Sequence, residues 1–415
     1  MKTNKAEKSW IFYDWANSAY SMTVTSAILP IYFTNMVVAA GANELTATSY
    51  WGYGNSFASI LVALLSPILG KLADQMGMKK RLFTIFSFMG ILFTGSLALI
   101  PFGAWLPLMI VYIFTAVGFS LGNIFYDSFL TDVTSAERMN VISTRGFALG
   151  YIGSTIPFII SVLFIVLAQK EIIPITVITA SRLAFFLTAI WWFVFTLPML
   201  KNVEQKYGTE KKAFKVTDVF KNFKNSLAKI VKNKKVLYFL IAYFFYIDGV
   251  DTIIKMATSF GTALGLKSTT LLAILLFVQF VAFPFAIIYG KLADKFGTKP
   301  MLFVGVIVYT IICIQAYFIK SEFDFWFLSF LVGTSQGGIQ AISRSHFAQL
   351  IPKENSNEFF GFYNIFGKFA AILGPAMLGF ISQLTGDVKN GVFSLIALFV
   401  IGTIFLILED RVENK

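Results

Sequence analysis

Twelve apolar stretches, most of them 20 residues or longer and set off by short polar segments, dominate the 415-residue sequence; they lie near 10–38, 48–70, 82–101, 105–127, 139–168, 176–200, 236–264, 268–290, 300–319, 325–348, 357–384 and 390–408. A run of about 20 apolar residues matches the thickness of a bilayer core when helical. Only a helix or a closed barrel satisfies every backbone N–H and C=O group in lipid. The expected fold is therefore an all-α polytopic membrane protein of about 12 transmembrane helices. Composition agrees: 57% of residues are hydrophobic and 13% charged, about half the charge of a soluble domain, which carries roughly 25%.

The same residues exclude several functions. Cys313 is the only cysteine, which rules out a disulfide framework and a metal-thiolate site. His346, the only histidine, sits at one end of the tenth stretch. The chain therefore lacks the clustered His/Asp or Ser/His groups of a membrane-embedded enzyme, and no catalytic residue, metal or cofactor is expected. No G-x-x-x-x-G-K-[ST] phosphate loop occurs, which argues against transport driven by the chain's own ATP hydrolysis. The first apolar run is too long for a signal-peptide core and lacks a small-residue cleavage site, so it reads as a retained first span.

The 34 Lys and Arg residues give a net charge of +12. If both termini are placed inside, 26 of them fall in internal segments and four (Lys170, Lys267, Lys320 and Lys389) in external loops. The other four (Arg145, Arg182, Lys255 and Lys368) lie within spans. This asymmetry obeys the positive-inside rule and predicts that both termini are cytoplasmic. The basic charge then reports topology, and no nucleic-acid partner is expected.

Gly70-Lys-Leu-Ala-Asp-Gln-Met-Gly-Met-Lys-Lys-Arg-Leu-Phe83 recurs as Gly290-Lys-Leu-Ala-Asp-Lys-Phe-Gly-Thr-Lys-Pro-Met-Leu-Phe303, with nine of fourteen positions matching at an offset of 220. Pro157 and Pro375 echo each other at an offset of 218. Each copy of the strong motif follows the second span of a six-span half, so the halves read as parallel repeats. The predicted units are a six-helix bundle over 1–200, a basic linker over 201–235 and a second six-helix bundle over 236–415.

The repeated loop resembles the signature of the major facilitator superfamily. Phe12-Tyr-Asp-Trp-Ala-Asn-Ser-Ala-Tyr20 and Phe245-Tyr-Ile-Asp-Gly-Val-Asp-Thr-Ile253 are similar to a narrower group, the autophagy-related vacuolar amino-acid effluxers and their bacterial relatives. The resemblance implies two six-helix bundles related by a pseudo-two-fold axis, with spans 1, 4, 7 and 10 around a central cavity. It also implies gating roles for Gly70, Asp74, Gly290 and Asp294. Gln75 stands where the superfamily usually carries a basic residue, whereas Lys295 keeps it.

Polar residues fall on the same spans. They occur at helical spacing as Asp14, Asn17, Ser18, Ser21 and Thr25 in the first, Ser120, Asn123 and Asp127 in the fourth, Asp248, Asp251 and Lys255 in the seventh, and Gln336, Gln340 and Ser343 in the tenth. Polar groups in a bilayer are costly and face a cavity or partners. Asn17, Asn123, Asp251, Lys255, Gln336, Gln340 and Lys368 are the expected contacts to a small polar solute. Two carboxylates and one lysine on one face of the seventh span leave an excess acid that desolvation and like-charge repulsion favour in its protonated form, and Asp248 is the expected proton carrier. Residues 201–235 hold eleven lysines, with Val216, Val219, Phe220, Phe223, Leu227, Ile230 and Val231 at helical spacing. This pattern predicts an amphipathic helix on the anionic inner leaflet. The resulting expectation is a monomeric, proton-coupled secondary transporter for a small solute, with amino acids the class implied by resemblance. Export of an amphiphilic drug or lipid-like molecule is the alternative.

Overall fold

Backbone groups that cannot reach water must bond within their own segment. The computed structural model, which describes residues 3–210 and 227–412, is helical almost throughout. Among the described residues there are twelve long helices. The first six are α1 Lys5–Ala39, α2 Glu44–Ala73, α3 Met78–Ser96, α4 Trp105–Val133, α5 Met139–Gln169 and α6 Val177–Asn202. The second six are α7 Lys234–Ala263, α8 Ser268–Phe296, α9 Thr298–Tyr317, α10 Glu322–Leu350, α11 Ser356–Thr385 and α12 Val388–Arg411. Eleven are long and apolar enough to cross a membrane. The exception is α10, whose 29 residues span about 43 Å at 1.5 Å per residue. Ser335, Gln336, Gln340, Ser343, Arg344 and His346 lower its hydropathy, and all but Gln340 are buried.

Local sequence explains the main interruptions. Gly77 and Gly297, equivalent in the two motifs, cap the starts of α3 and α9 with φ of +82° and +95°. A side chain is disfavoured in that region, which explains why glycine recurs there. α1 begins with a capping box, in which Asn4 and Glu7 exchange side-chain-to-backbone hydrogen bonds. Within it Tyr20–Ile28 is π-helical, immediately before Leu29-Pro30. The wider turn breaks the 3.6-residue period, so Ser21 and Thr25 do not continue the regular face of Asp14 and Asn17 that simple spacing predicts.

The packing repeats at an offset of six helices. α1 packs on α6 as α7 does on α12, α2 on α4 as α8 on α10, and α3 on both α4 and α6 as α9 on α10 and α12. The α3–α4 crossing is close because a Cβ at Gly118 would lie 2.5 Å from the backbone nitrogen of Gly90. Contacts group the chain into two compact units, Met1–Val133 with Leu149–Lys212, and Thr134–Ala148 with Ala213–Lys415. The first turns of α5 thus belong with the second unit. There Arg344 donates to Ser143 Oγ at 2.9 Å and to its carbonyl at 3.0 Å.

Large apolar side chains such as Ile31, Leu64, Leu92, Phe280 and Phe380 remain exposed, as lipid contact requires. Of the expected amphipathic linker helix, Val216, Val219, Phe220 and Phe223 lie outside the described residues. Residues 227–232 are helical, with Leu227 and Val231 exposed and Ile230 buried. Residues 203–210 form a strap on the α2–α3 loop. Gln205 Oε1 accepts from the Gly77 and Lys79 N–H groups at 2.9 and 3.1 Å. Thr209 N donates to Asp74 O at 2.7 Å, and Thr209 O accepts from Met76 N at 3.1 Å.

Candidate transport site

The charges of the seventh span divide between a buried and an accessible position. Asp248 is 0% exposed. Both of its oxygens accept the Gly374 N–H, at 2.9 and 2.7 Å, and Thr252 Oγ1 donates to Oδ1 at 3.4 Å. Pro375 follows within α11. Proline removes one N–H from a helical ladder and opens the turn before it, and Asp248 meets the adjacent backbone N–H. A Cβ on Gly374 would collide with Thr252 Oγ1 and stand 2.7 Å from Asp248 Oδ1, so the carboxylate approaches only because the residue is glycine.

One turn further along α7, Asp251 Oδ2 and Lys255 Nζ are 3.5 Å apart and 28% and 55% exposed, an i, i+4 pair. Asp251 and Lys255 are also the charges that face Lys368 of α11. Lys368 is half-buried and makes no hydrogen bond or ion pair among the described residues. One turn before it, Asn364 Oδ1 is buried without a hydrogen-bond partner among the described residues. The second unit therefore gathers two acids, two lysines and an unsatisfied carbonyl oxygen from α7 and α11.

The other predicted contacts are placed differently. In the first unit, Asn17 Nδ2 donates to Asn123 Oδ1 at 2.7 Å, so the two amides bond to each other. Gln336 lines an apolar cavity inside the second unit with Gln279, Ser329, Met256, Phe260 and Val278. Asp251 and Lys255 are not among the residues lining it. Gln340 is half-buried on α10.

Of the predicted gate residues, Gly70 and Asp74 are buried at the end of α2, with the Asp74 carbonyl holding the strap. A Cβ at Gly290 would run into Thr144 of α5. Asp294 is exposed and faces Arg138 and Arg145. Thr252 and Asn364 were not singled out in the sequence, and Gly374, legible as a glycine for close helix packing, was not read as a carboxylate partner. The Gly-Pro step within an apolar run was the available signal for Gly374, and the four-residue spacing to Lys368 was the signal for Asn364. Among the described residues, no group of three His, Cys, Asp or Glu residues could hold a metal ion.

Charges of both signs thus lie inside long apolar helices, with a motif-bearing loop in each half. A family model described as "Vacuole effluxer Atg22 like" matches residues 2–138 and 131–414. The chain belongs to that family. A relative of this Atg22-like protein, the uncharacterized MFS-type transporter YxiO of Bacillus subtilis, is 52% identical over 402 residues, covering 97% of this chain and 94% of the relative. Autophagy-related protein 22 of Kluyveromyces lactis is 24% identical over 378 residues, 83% and 75% of the two chains. The fold is shared with the human organic anion transporter MFSD10 (TM-score 0.74, 12% identity, 97% and 99% covered). It is shared too with the proton:xylose symporter XylE (TM-score 0.72, 13% identity, 97% and 94% covered). The Atg22-like protein is thus a membrane transporter of the major facilitator type and not an enzyme.

Proposed function

We propose that this transporter carries a small zwitterionic solute, an amino acid, by alternating access coupled to a proton, with Asp248 as the proton carrier. The observation that carries the reading is the accessible Asp251–Lys255 pair facing Lys368. An ammonium group can be met by Asp251 and the Asn364 oxygen, and a carboxylate by Lys255 and Lys368. The family description of its members as effluxers supports solute movement as the task. The test is counterflow of radiolabelled amino acids into proteoliposomes, followed by uptake under an imposed pH gradient. Saturable counterflow is expected, with flux that follows the gradient; flux for no amino acid would overturn the solute class. Lys255→Ala should weaken half-saturation by about tenfold, roughly 1.4 kcal/mol. That is the scale of one accessible charge contact, and unchanged affinity would remove Lys255 from the site.

The apolar cavity beside Gln336 favours a second reading, carriage of an amphiphile. A fluorescent alkylammonium dye that is transported in the same vesicles and blocks amino-acid counterflow would support it.

The charge asymmetry supports cytoplasmic termini, and the bacterial relative supports a plasma-membrane location. Cysteines introduced at Asn43 and Lys389 into a Cys313→Ala background should react with an impermeant maleimide on whole cells, and one at the C-terminus should not. Labelling of the C-terminal cysteine from outside would invert the orientation. On this placement, Lys229, Lys232, Lys234 and Lys235 line the inner-leaflet side and would meet anionic headgroups.

A further inference from the structure

The two halves hold their motif lysines differently. In the first unit Lys79 Nζ stands 2.6 Å from Asp132 Oδ2, with both side chains fully buried. The other Asp132 oxygen accepts the Lys206 and Tyr207 N–H groups at 2.7 and 3.0 Å. One cation meets one satisfied anion. The equivalent lysine, 220 residues later, is Lys299 in the first turn of α9. Its Nζ is shared between two carboxylates of α12, Glu409 Oε1 at 3.2 Å and Asp410 Oδ1 at 2.9 Å.

Asp410 is largely exposed, and the charge of Lys235 on α7 also acts on it. Glu409 is fully buried, and neither of its oxygens makes a hydrogen bond among the described residues. His346 of α10, 5% exposed, has Nε2 at 3.4 Å from Glu409 Oε1. Both imidazole nitrogens are buried without a hydrogen-bond partner among the described residues. From α7, Phe239 packs edge-on against the ring at 4.9 Å. Tyr246 of α7 lies within electrostatic range of Glu409, with its hydroxyl bonded to Ser343 Oγ at 2.6 Å.

A buried carboxylate that only shares a lysine is short of counter-charge, and leaving such a charge uncompensated is costly. A neutral imidazole supplies one N–H, whereas an imidazolium supplies two and a full charge. Either donor aimed at Glu409 would form a charge-assisted bond, the stronger class. His346 also lies about one turn from the C-terminal end of α10, where the helix dipole favours a cation. We infer that His346 and Glu409 form a proton-binding site at the Lys/Arg-rich end of the second unit, separate from Asp248. Taking up a proton there ties the ends of α9, α10 and α12 together, and losing it loosens them.

Because the chain has one histidine, histidine labelled with carbon-13 gives one imidazole signal from the full-length protein in nanodiscs. That signal is followed across a pH series. Glu409→Gln should shift the titration to lower pH, with proton affinity falling at least tenfold. Lys299→Gln, which leaves two carboxylates without their lysine, should shift it to higher pH. Gel filtration selects variants that fold, and either shift alone decides. Midpoints equal to the wild type in the folded variants, or an imidazole that stays neutral throughout, would overturn the site. The experiment needs no solute, so its failure is distinct from failure of the Asp248 reading.

Discussion

Asp248→Asn is expected to abolish uphill accumulation of solute while leaving solute exchange within about twofold of wild type. Asparagine keeps an oxygen that can accept the Gly374 N–H and nearly the same volume, but it cannot bind and release a proton. Under the proposed coupling, exchange needs no net proton release, whereas accumulation does. Asp248→Leu supplies the contrast. It leaves the Gly374 N–H buried and unpaired next to Pro375, at a cost of about 1–3 kcal/mol, and should impair both modes and lower thermal stability. Proteoliposome uptake and exchange with an imposed pH gradient, run beside thermal melts, separate the outcomes. Full accumulation by Asp248→Asn would make Asp248 a structural acceptor for the α11 backbone and nothing more. Loss of exchange in the same variant would place it in solute binding.

The second large effect is expected at the buried Lys79–Asp132 pair. Asp132→Asn removes the charge that Lys79 meets at 2.6 Å with no solvent on either side chain. Breaking a buried pair from one side typically costs about 3–5 kcal/mol. It also weakens the acceptor for the Lys206 and Tyr207 N–H groups, which should release the strap from the α2–α3 loop. A marked fall in melting temperature on fluorescence-detected gel filtration is the expected readout, together with faster proteolysis near residue 205. Lys79→Met combined with Asp132→Asn should be more stable than Asp132→Asn alone, because no orphaned ammonium remains. Equal melting temperatures for the single variant and the wild type would show that the pair contributes little.

Part of the site was legible before any helix had a position. The Asp251–Lys255 pair followed from four-residue spacing, because neighbours on one helix are fixed by its own geometry. The buried depth of Asp248 followed from its place in an apolar run. Gln336 shows the limit. Its spacing marked a polar face of α10, but spacing leaves open whether a face turns toward a transport path or into its own bundle. Its place beside Gln279 and Met256 depends on how α10 is rotated against α8 and α7. Asn17 and Asn123, read separately as solute contacts, bond to each other across 106 residues of sequence. His346, given no role, finds Glu409 from a different helix.

The sequence by itself determined the number of spans, their boundaries to within a few residues, the repeat and the family. These rest on hydropathy and local motifs, and in lipid a long apolar segment has essentially one backbone conformation open to it. Tertiary structure alone decided which buried polar groups meet. The Gly374 N–H, beside Pro375, reaches Asp248 across 126 residues, an approach that glycine's missing Cβ allows. Lys79 and Lys299 occupy the same place in the repeat, yet one finds a satisfied partner on α4 and the other a crowded pair on α12. Side-chain pairing between helices depends on rotation, kinks and π turns, which one helix's sequence does not encode alone.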